Sequence, residues 1–275
     1  MKLITDTGSL MSQKQAEELN ITLLPLQVAI GGKNYRDYFE LASDTFVEMV
    51  KKAIPTSSQP AIGEVLAAYE GVSEALHIAM TKGLSATYDS ALGIIESHGI
   101  KHITLFNSKT LAGTQKYLVE LAASLIDSIP VSQIVERMEL CLTQCQSFLI
   151  PSDFDFLRRG GRLSPVAATL SGLMKIKPIV TQTEGSQKLE KFGVARTMSN
   201  ALDQIIDKMI ENGVDFRHKI YISHAFNQDA AKMAFEKVKA KIQNIDIDVL
   251  ELSPVMITQG GPGCLAIQYI LKDRG

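Results

Sequence analysis

Ala75-Leu76-His77-Ile78-Ala79-Met80, running into Thr81-Lys82-Gly83-Leu84-Ser85-Ala86-Thr87-Tyr88, decides how this chain is built. The first six residues are apolar apart from one histidine and end at a polar, glycine-containing stretch, the pattern of a buried strand. Lys82-Gly83 breaks the run, and from Ser85 to about residue 96 the pattern is that of a helix. The same order then repeats, with 102–106 reading as a strand and 110–126 as a helix. Strand, helix and strand in close succession imply βαβ units and a mainly parallel sheet.

Working outward, 3–5 reads as a strand, 13–19 as a helix, and 21–30 as one long apolar strand interrupted by Pro25 and turned at Gly31-Gly32. Ser43 has the chemistry of an N-cap for a helix reaching about residue 53, where Pro55 stops it; 60–69 is a second helix. An amphipathic helix at 131–144 and a strand at 147–150 complete the first half. The second half has a different grain. Short strands at 178–181 and 188–192 flank the turn Glu184-Gly185, followed by helices at 197–212 and 228–243 alternating with strands at 219–224 and 246–252. The expected fold class is α/β: an N-terminal mainly parallel sheet with flanking helices, and a C-terminal α+β domain with a mixed or antiparallel sheet. The boundary is expected near Pro151, giving domains 1–150 and 151–275.

With 275 residues, 45% of them hydrophobic and 21% charged, the chain has the composition of a globular protein large enough for two cores. A net charge of −2 gives no general attraction to nucleic acid or to an anionic membrane. No apolar run approaches a membrane span, and the N-terminal apolar run stops after Leu3-Ile4, so neither membrane insertion nor a signal peptide is expected and a cytoplasmic location is the default. Three cysteines make no disulfide framework; Cys141 and Cys145, read as i,i+4 on one helix, are expected to be reduced core residues, and no metal site is expected.

Four loops have the chemistry to hold a ligand. Pro55-Thr56-Ser57-Ser58-Gln59-Pro60 gathers three hydroxyls before a helix, more than capping alone requires. Thr81 to Tyr88 offers hydroxyls and N–H groups at a helix start, which suits an anion, although a plain N-cap at Ser85 explains it equally. Arg158-Arg159-Gly160-Gly161-Arg162 places three guanidiniums around a double glycine; such forks grip carboxylate or phosphate oxygens, and the plain alternative is a solvated basic turn. Thr258-Gln259-Gly260-Gly261-Pro262-Gly263-Cys264 allows close backbone approach, or is simply a turn into a last helix with Pro262 at its first position. No dinucleotide fingerprint, phosphate-binding loop, nucleophile elbow or metal cluster is present.

Taken in this order, the loops resemble the DegV family of bacterial fatty-acid-binding proteins, nearly end to end. The likeness opens with Thr5-Asp6-Thr7, Pro25-Leu26 and Tyr35-Arg36-Asp37. It continues through Ser57-Ser58-Gln59-Pro60, Leu84-Ser85-Ala86-Thr87-Tyr88, the stretch ending Gly160-Gly161-Arg162-Leu163-Ser164, Ile176-Lys177-Pro178-Ile179, Arg196 and Gly261-Pro262-Gly263. The resemblance implies a non-catalytic carrier that holds one long-chain fatty acid, with no other cofactor. It implies that hydroxyls at Ser57 and Ser85 bind the carboxylate, with Ser58, Thr87 and Gly161 in support. It also implies a partner, a fatty acid kinase that makes the acyl phosphate used for phospholipid synthesis, and places Arg162 and position 259 toward the head group or that partner. Where the family has His, this chain has Gln259, which can donate and accept hydrogen bonds but carries no charge at neutral pH.

Two other readings stand beside this one. A serine hydrolase would use Ser85 or Ser57 with His77 or His224 as base. A phosphate- or nucleotide-binding regulatory module would use Arg158, Arg159 and Arg162.

Overall fold

Pro25 divides the apolar run 21–30 between two sheets. The computed structural model describes residues 1–165, 176–183, 185 and 188–275. Within it β1 (Lys2–Asp6), α1 (Gln13–Glu18) and β2 (Ile21–Leu24) precede the proline, and β3 (Gln27–Ile30) and β4 (Lys33–Arg36) follow it. β2 joins β1 in a parallel sheet, whereas β3 leaves it to pair antiparallel with β4. A proline lacks the N–H that would carry a ladder through this point, and the chain uses the break to change sheets. The expected single long strand is therefore two short ones.

The remaining elements of the first half are α2 (Ser43–Val50), β5 (Thr56–Ser58), α3 (Ile62–Tyr69), β6 (Ala75–Ala79), α4 (Thr87–Ser97), β7 (Ile103–Asn107), α5 (Ala112–Leu125) and α6 (Val131–Leu142). Four strands form a wholly parallel sheet in the order β2-β1-β6-β7. All five residues of β6 are buried, as a central strand covered on both faces requires. Thr22, Ile4, His77 and Leu105 lie in one row across it. On one face Ile4, Ala75 and Ile103 pack with Val65, Ala68 and Tyr69 of α3 and with Ile94 of α4. A second sheet, β4-β3-β5, is antiparallel and was not anticipated, because β5 is three polar residues long.

In the second half come β8 (Cys145–Ile150), α7 (Phe154–Gly160), β9 (Lys177–Gln182), β10 (Leu189–Ala195), α8 (Met198–Glu211), β11 (His218–His224), α9 (Gln228–Lys241), β12 (Asp246–Glu251), α10 (Pro254–Gly260) and β13 (Leu265–Leu271). Six strands make a mixed sheet in the order β10-β9-β8-β13-β11-β12, in which β11 and β12 alone run parallel. Of the turn expected at Glu184-Gly185, Glu184 lies outside the described residues. α8 buries Ala201, Leu202, Ile205, Ile206 and Met209, an apolar stripe that packs with Ile220, Ile222, Ala234 and Val238 over one face of this sheet. The α/β class, the parallel first sheet and the mixed second sheet agree with the sequence reading.

The chain divides into two compact units, 1–140 with Ser253–Val255 and 141–252 with 256–275. The division precedes the expected boundary at 150/151 because β8 pairs with β9 and β13 inside the second sheet. Cys145 accordingly begins a strand while Cys141 ends a helix, so the two are not a helical pair; all three cysteines are free thiols. The glycine-rich stretch before Cys264 leads not into a helix but from α10 into β13, whose seven residues are almost all buried between β8 and β11. Gly261 and Gly263, both at positive φ, stop α10 there. Among the described residues no helix is long and apolar enough to cross a membrane.

Candidate functional site

In a parallel sheet the loops at the carboxyl ends of the strands are the natural place for a ligand. At that end of β1, β6 and β7 the loop carrying Ser85 is held from both sides. The Asp6 carboxylate, at the end of β1, accepts from the N–H of Met80 at 2.7 Å, from Gly8 at 2.9 Å and from Gln115 Nε2 at 3.3 Å. From β7, Asn107 Oδ1 accepts from the N–H groups of Lys82 and Lys109, each at 3.1 Å. Thr81 donates its N–H to Thr110 O at 3.0 Å.

Ser85 lies at the exit of this loop and is half-buried. It is not the N-cap expected from sequence, since Ala86 occupies that position without a side-chain cap. Instead Ser85 Oγ accepts from the Thr87 N–H at 3.2 Å and sits 2.8 Å from Thr87 Oγ1. With Thr87 as donor in that second bond, Ser85 accepts twice and keeps its own O–H to give to a ligand. Thr87 itself is buried. Lys82 sits opposite Ser85 in an isolated bridge, its ammonium 3.1 Å from Asp89.

Ser57 is in a strand, not at a helix start. β5 places it opposite Val28, so it shares the inward side of that fully buried residue and is itself half-buried, whereas Thr56 and Ser58 are exposed. Of the three hydroxyls in the loop, alternation thus turns Ser57 alone inward. Beyond β5, Gln59 Nε2 donates to Ser90 Oγ on the first turn of α4 at 2.7 Å, so the structure brings the loop of Ser57 to the helix that follows Ser85.

In the second unit, Arg162 and Gln259 meet at one glycine. Arg162 Nη1 donates to Gly160 O, and the Gln259 amide oxygen lies where a Cβ on Gly160 would stand. Gly161, at φ +70°, ends α7 in the left-handed region that favours glycine. Ser152 N–H donates to Gly260 O at 3.2 Å, joining the start of α7 to the end of α10. The other two arginines find separate partners: Arg158 pairs with Asp155 at 3.1 Å, and the Arg159 guanidinium lies 4.9 Å over the Phe156 ring. The guanidiniums expected as one cluster are therefore spread over three contacts.

Neither histidine of the hydrolase reading has the setting of a general base. His77 is fully buried on β6, its Nδ1 2.6 Å from Tyr69 Oη, and burial holds its pKa down at about 3. His224, on β11 in the second unit, is also held below its ordinary value by burial. Cys264 is buried and its thiol is pushed up to about 12, which removes it as a nucleophile at neutral pH. Among the described residues no three His, Cys, Asp or Glu side chains gather as metal ligands would.

Two buried acids were present in the sequence motifs but had no assigned role. Burial raises Asp6 to about 6, against the opposing effect of its three donors. Burial raises Asp37 to about 7, with the nearby Asp6 charge adding to the effect. Asp37 Oδ1 accepts from the Val255 N–H at 3.1 Å, so it fixes the start of α10. No spacing rule reveals such a pair, because residues 37 and 255 meet only on folding.

Comparison with known proteins agrees with this architecture along the whole chain. The profile of a family described as uncharacterised proteins of the DegV family matches residues 1–272. A DegV domain-containing protein of Listeria monocytogenes is 27% identical, with 98% of each chain covered. The crystal structure of DegV from Bacillus subtilis, described as a fatty acid binding protein, is 28% identical with a TM-score of 0.85, covering 98% of this chain and 99% of that one. A DegV family protein from Thermus thermophilus, described by its fatty acid binding, shares the fold at 24% identity with a TM-score of 0.88, covering 98% and 99%. With a match this long and a fold this close, the chain belongs to the DegV family.

Proposed function

We propose that this protein is a cytoplasmic, non-catalytic carrier that binds one long-chain fatty acid and presents it to a fatty acid kinase, which makes the acyl phosphate for phospholipid synthesis. The observation that carries the reading is the Ser85 hydroxyl, fixed by two contacts to Thr87 at the carboxyl end of a parallel sheet. The likeness to Bacillus subtilis DegV supports the ligand class. In this reading the first unit is the head-group-binding one: Ser57 and Ser85 hold the carboxylate, with Thr87 in support, while Ser58, turned to the exposed side of β5, takes no part. Arg162 and Gln259, with Gly161 shaping the turn, face the head group or the kinase.

Energetics agree with tight binding and no covalent step. Burying about 14 methylenes at about 0.8 kcal/mol each supplies on the order of 11 kcal/mol before ordering costs. A carboxylate taken from water needs donors in return, and hydroxyls held in place supply them. The test is mass spectrometry of an organic extract of the purified protein, with titration of delipidated protein by palmitate. A near-stoichiometric acyl species is expected, and replacing Ser57 or Ser85 by Ala should weaken palmitate binding by about 1–3 kcal/mol with little change in melting temperature. An extract without fatty acid, together with no uptake of palmitate, would overturn the proposal.

A further inference from the structure

The two hydroxyls assigned to the carboxylate come from distant parts of the chain, and a direct side-chain bond ties their supports together. Gln59 Nε2 donates to Ser90 Oγ at 2.7 Å across 31 residues of sequence. Both residues are half-buried, where a hydrogen bond competes less with water than on open surface. Gln59 lies two residues past Ser57 and directly before Pro60, whose ring fixes the backbone at the end of the loop. Ser90 donates its N–H to Ala86 O at 2.9 Å, and the Thr87 N–H reaches Ser85 Oγ at 3.2 Å. Ser85, Thr87 and Ser90 are therefore joined through hydrogen bonds at the first turn of α4. Behind the loop, Arg36 of β4 pairs with Glu64 on the first turn of α3 at 2.8 Å, bracing the far end of the same connection.

From this geometry we infer that Gln59 is a positioning residue: its bond to Ser90 sets the separation of the Ser57 and Ser85 hydroxyls so that one carboxylate meets both. The inference rests on the proposed fatty-acid site. Donors held in register before the ligand arrives bind it more tightly, because the ordering cost has already been met in folding. Without the bond the strand and the helix still form, but the two hydroxyls take up independent positions.

The test measures palmitate affinity and melting temperature on the delipidated full chain for Gln59→Met, Ser90→Ala, the double variant and Ser90→Thr. Gln59→Met keeps the side-chain length and removes the donor. Ser90→Ala removes the acceptor while improving helix propensity in α4. Its melting temperature should hold or rise as binding falls, a combination that a purely structural role does not produce. Each single change should weaken palmitate binding by about two- to tenfold. The double variant should be no weaker than either single one, and Ser90→Thr, which keeps the hydroxyl, should bind like wild type. Wild-type affinity in Gln59→Met or Ser90→Ala, or losses that multiply in the double variant, would overturn the inference. If Ser57→Ala and Ser85→Ala still weaken binding in that case, the fatty-acid site stands without the latch. If those two also bind like wild type, site and latch fall together.

Discussion

Gly160 is approached from two sides, by the guanidinium of Arg162 at its carbonyl and by the amide of Gln259 where a side chain would begin. Its own backbone is helical, so alanine is tolerable to α7; the added methyl group would nevertheless push Gln259 aside. If these two residues face the kinase, Arg162→Ala should leave palmitate binding largely intact and lower acyl-phosphate formation by at least about tenfold, the loss of one charge-assisted contact. Gly160→Ala should lower the same step through Gln259 without touching a charge. A coupled phosphorylation assay beside a direct titration separates the two quantities. Equal losses of binding and transfer in Arg162→Ala would make Arg162 a ligand of the head group itself. The residue types were readable in the sequence, since Arg-Arg-Gly-Gly-Arg and Gln-Gly-Gly-Pro-Gly stand out by composition. Their meeting at one glycine was not, because it depends on α10, which has no distinctive pattern of its own.

At the scale of elements, the strands and helices from 75 to 126 were readable because buried strands and amphipathic helices write their period into the chain. β5 was not, since Thr56-Ser57-Ser58 has the composition of a turn and becomes a strand only by pairing with β3. The ends of several elements depend on Asp6 and Asp37, and this has a consequence for pH. Both acids hold their protons in the folded state, to about 6 and about 7, well after an unfolded carboxyl near 3.8 has ionised. The folded state thus binds more protons than the unfolded state across that window, so the contribution of these groups to stability is fully present below about pH 4. It is lost as pH rises through about 6 and 7, by an amount on the order of a few kcal/mol for the pair. Urea unfolding from pH 4 to pH 8 should show a flatter pH dependence for Asp37→Asn and Asp6→Asn than for wild type. An unchanged slope in both variants would mean that the two carboxyls ionise like exposed ones.

For the whole molecule, the sequence conveyed the class of each half but not which sheet takes the strand β8. Alternating strands and helices distinguish a parallel sheet from a mixed one; they do not say which sheet claims a strand near the boundary. β8 decides the matter, lying between β9 and β13 in the second sheet. A fragment 151–275 therefore lacks an interior strand that 141–275 retains. The longer fragment should melt cooperatively by circular dichroism, and the shorter should melt at lower temperature or without a transition. Identical melting would show that β8 is dispensable to its sheet. The late return of Ser253–Val255 to the first unit also sets an order of events during synthesis. Asp37 leaves the ribosome 218 residues before the Val255 N–H that it will accept, a delay of about 10 to 45 s at ordinary elongation rates. For that interval Asp37 has the Thr7 hydroxyl as a partner but not the Val255 N–H, so the bond that fixes the start of α10 forms long after the strands of the first sheet have been made.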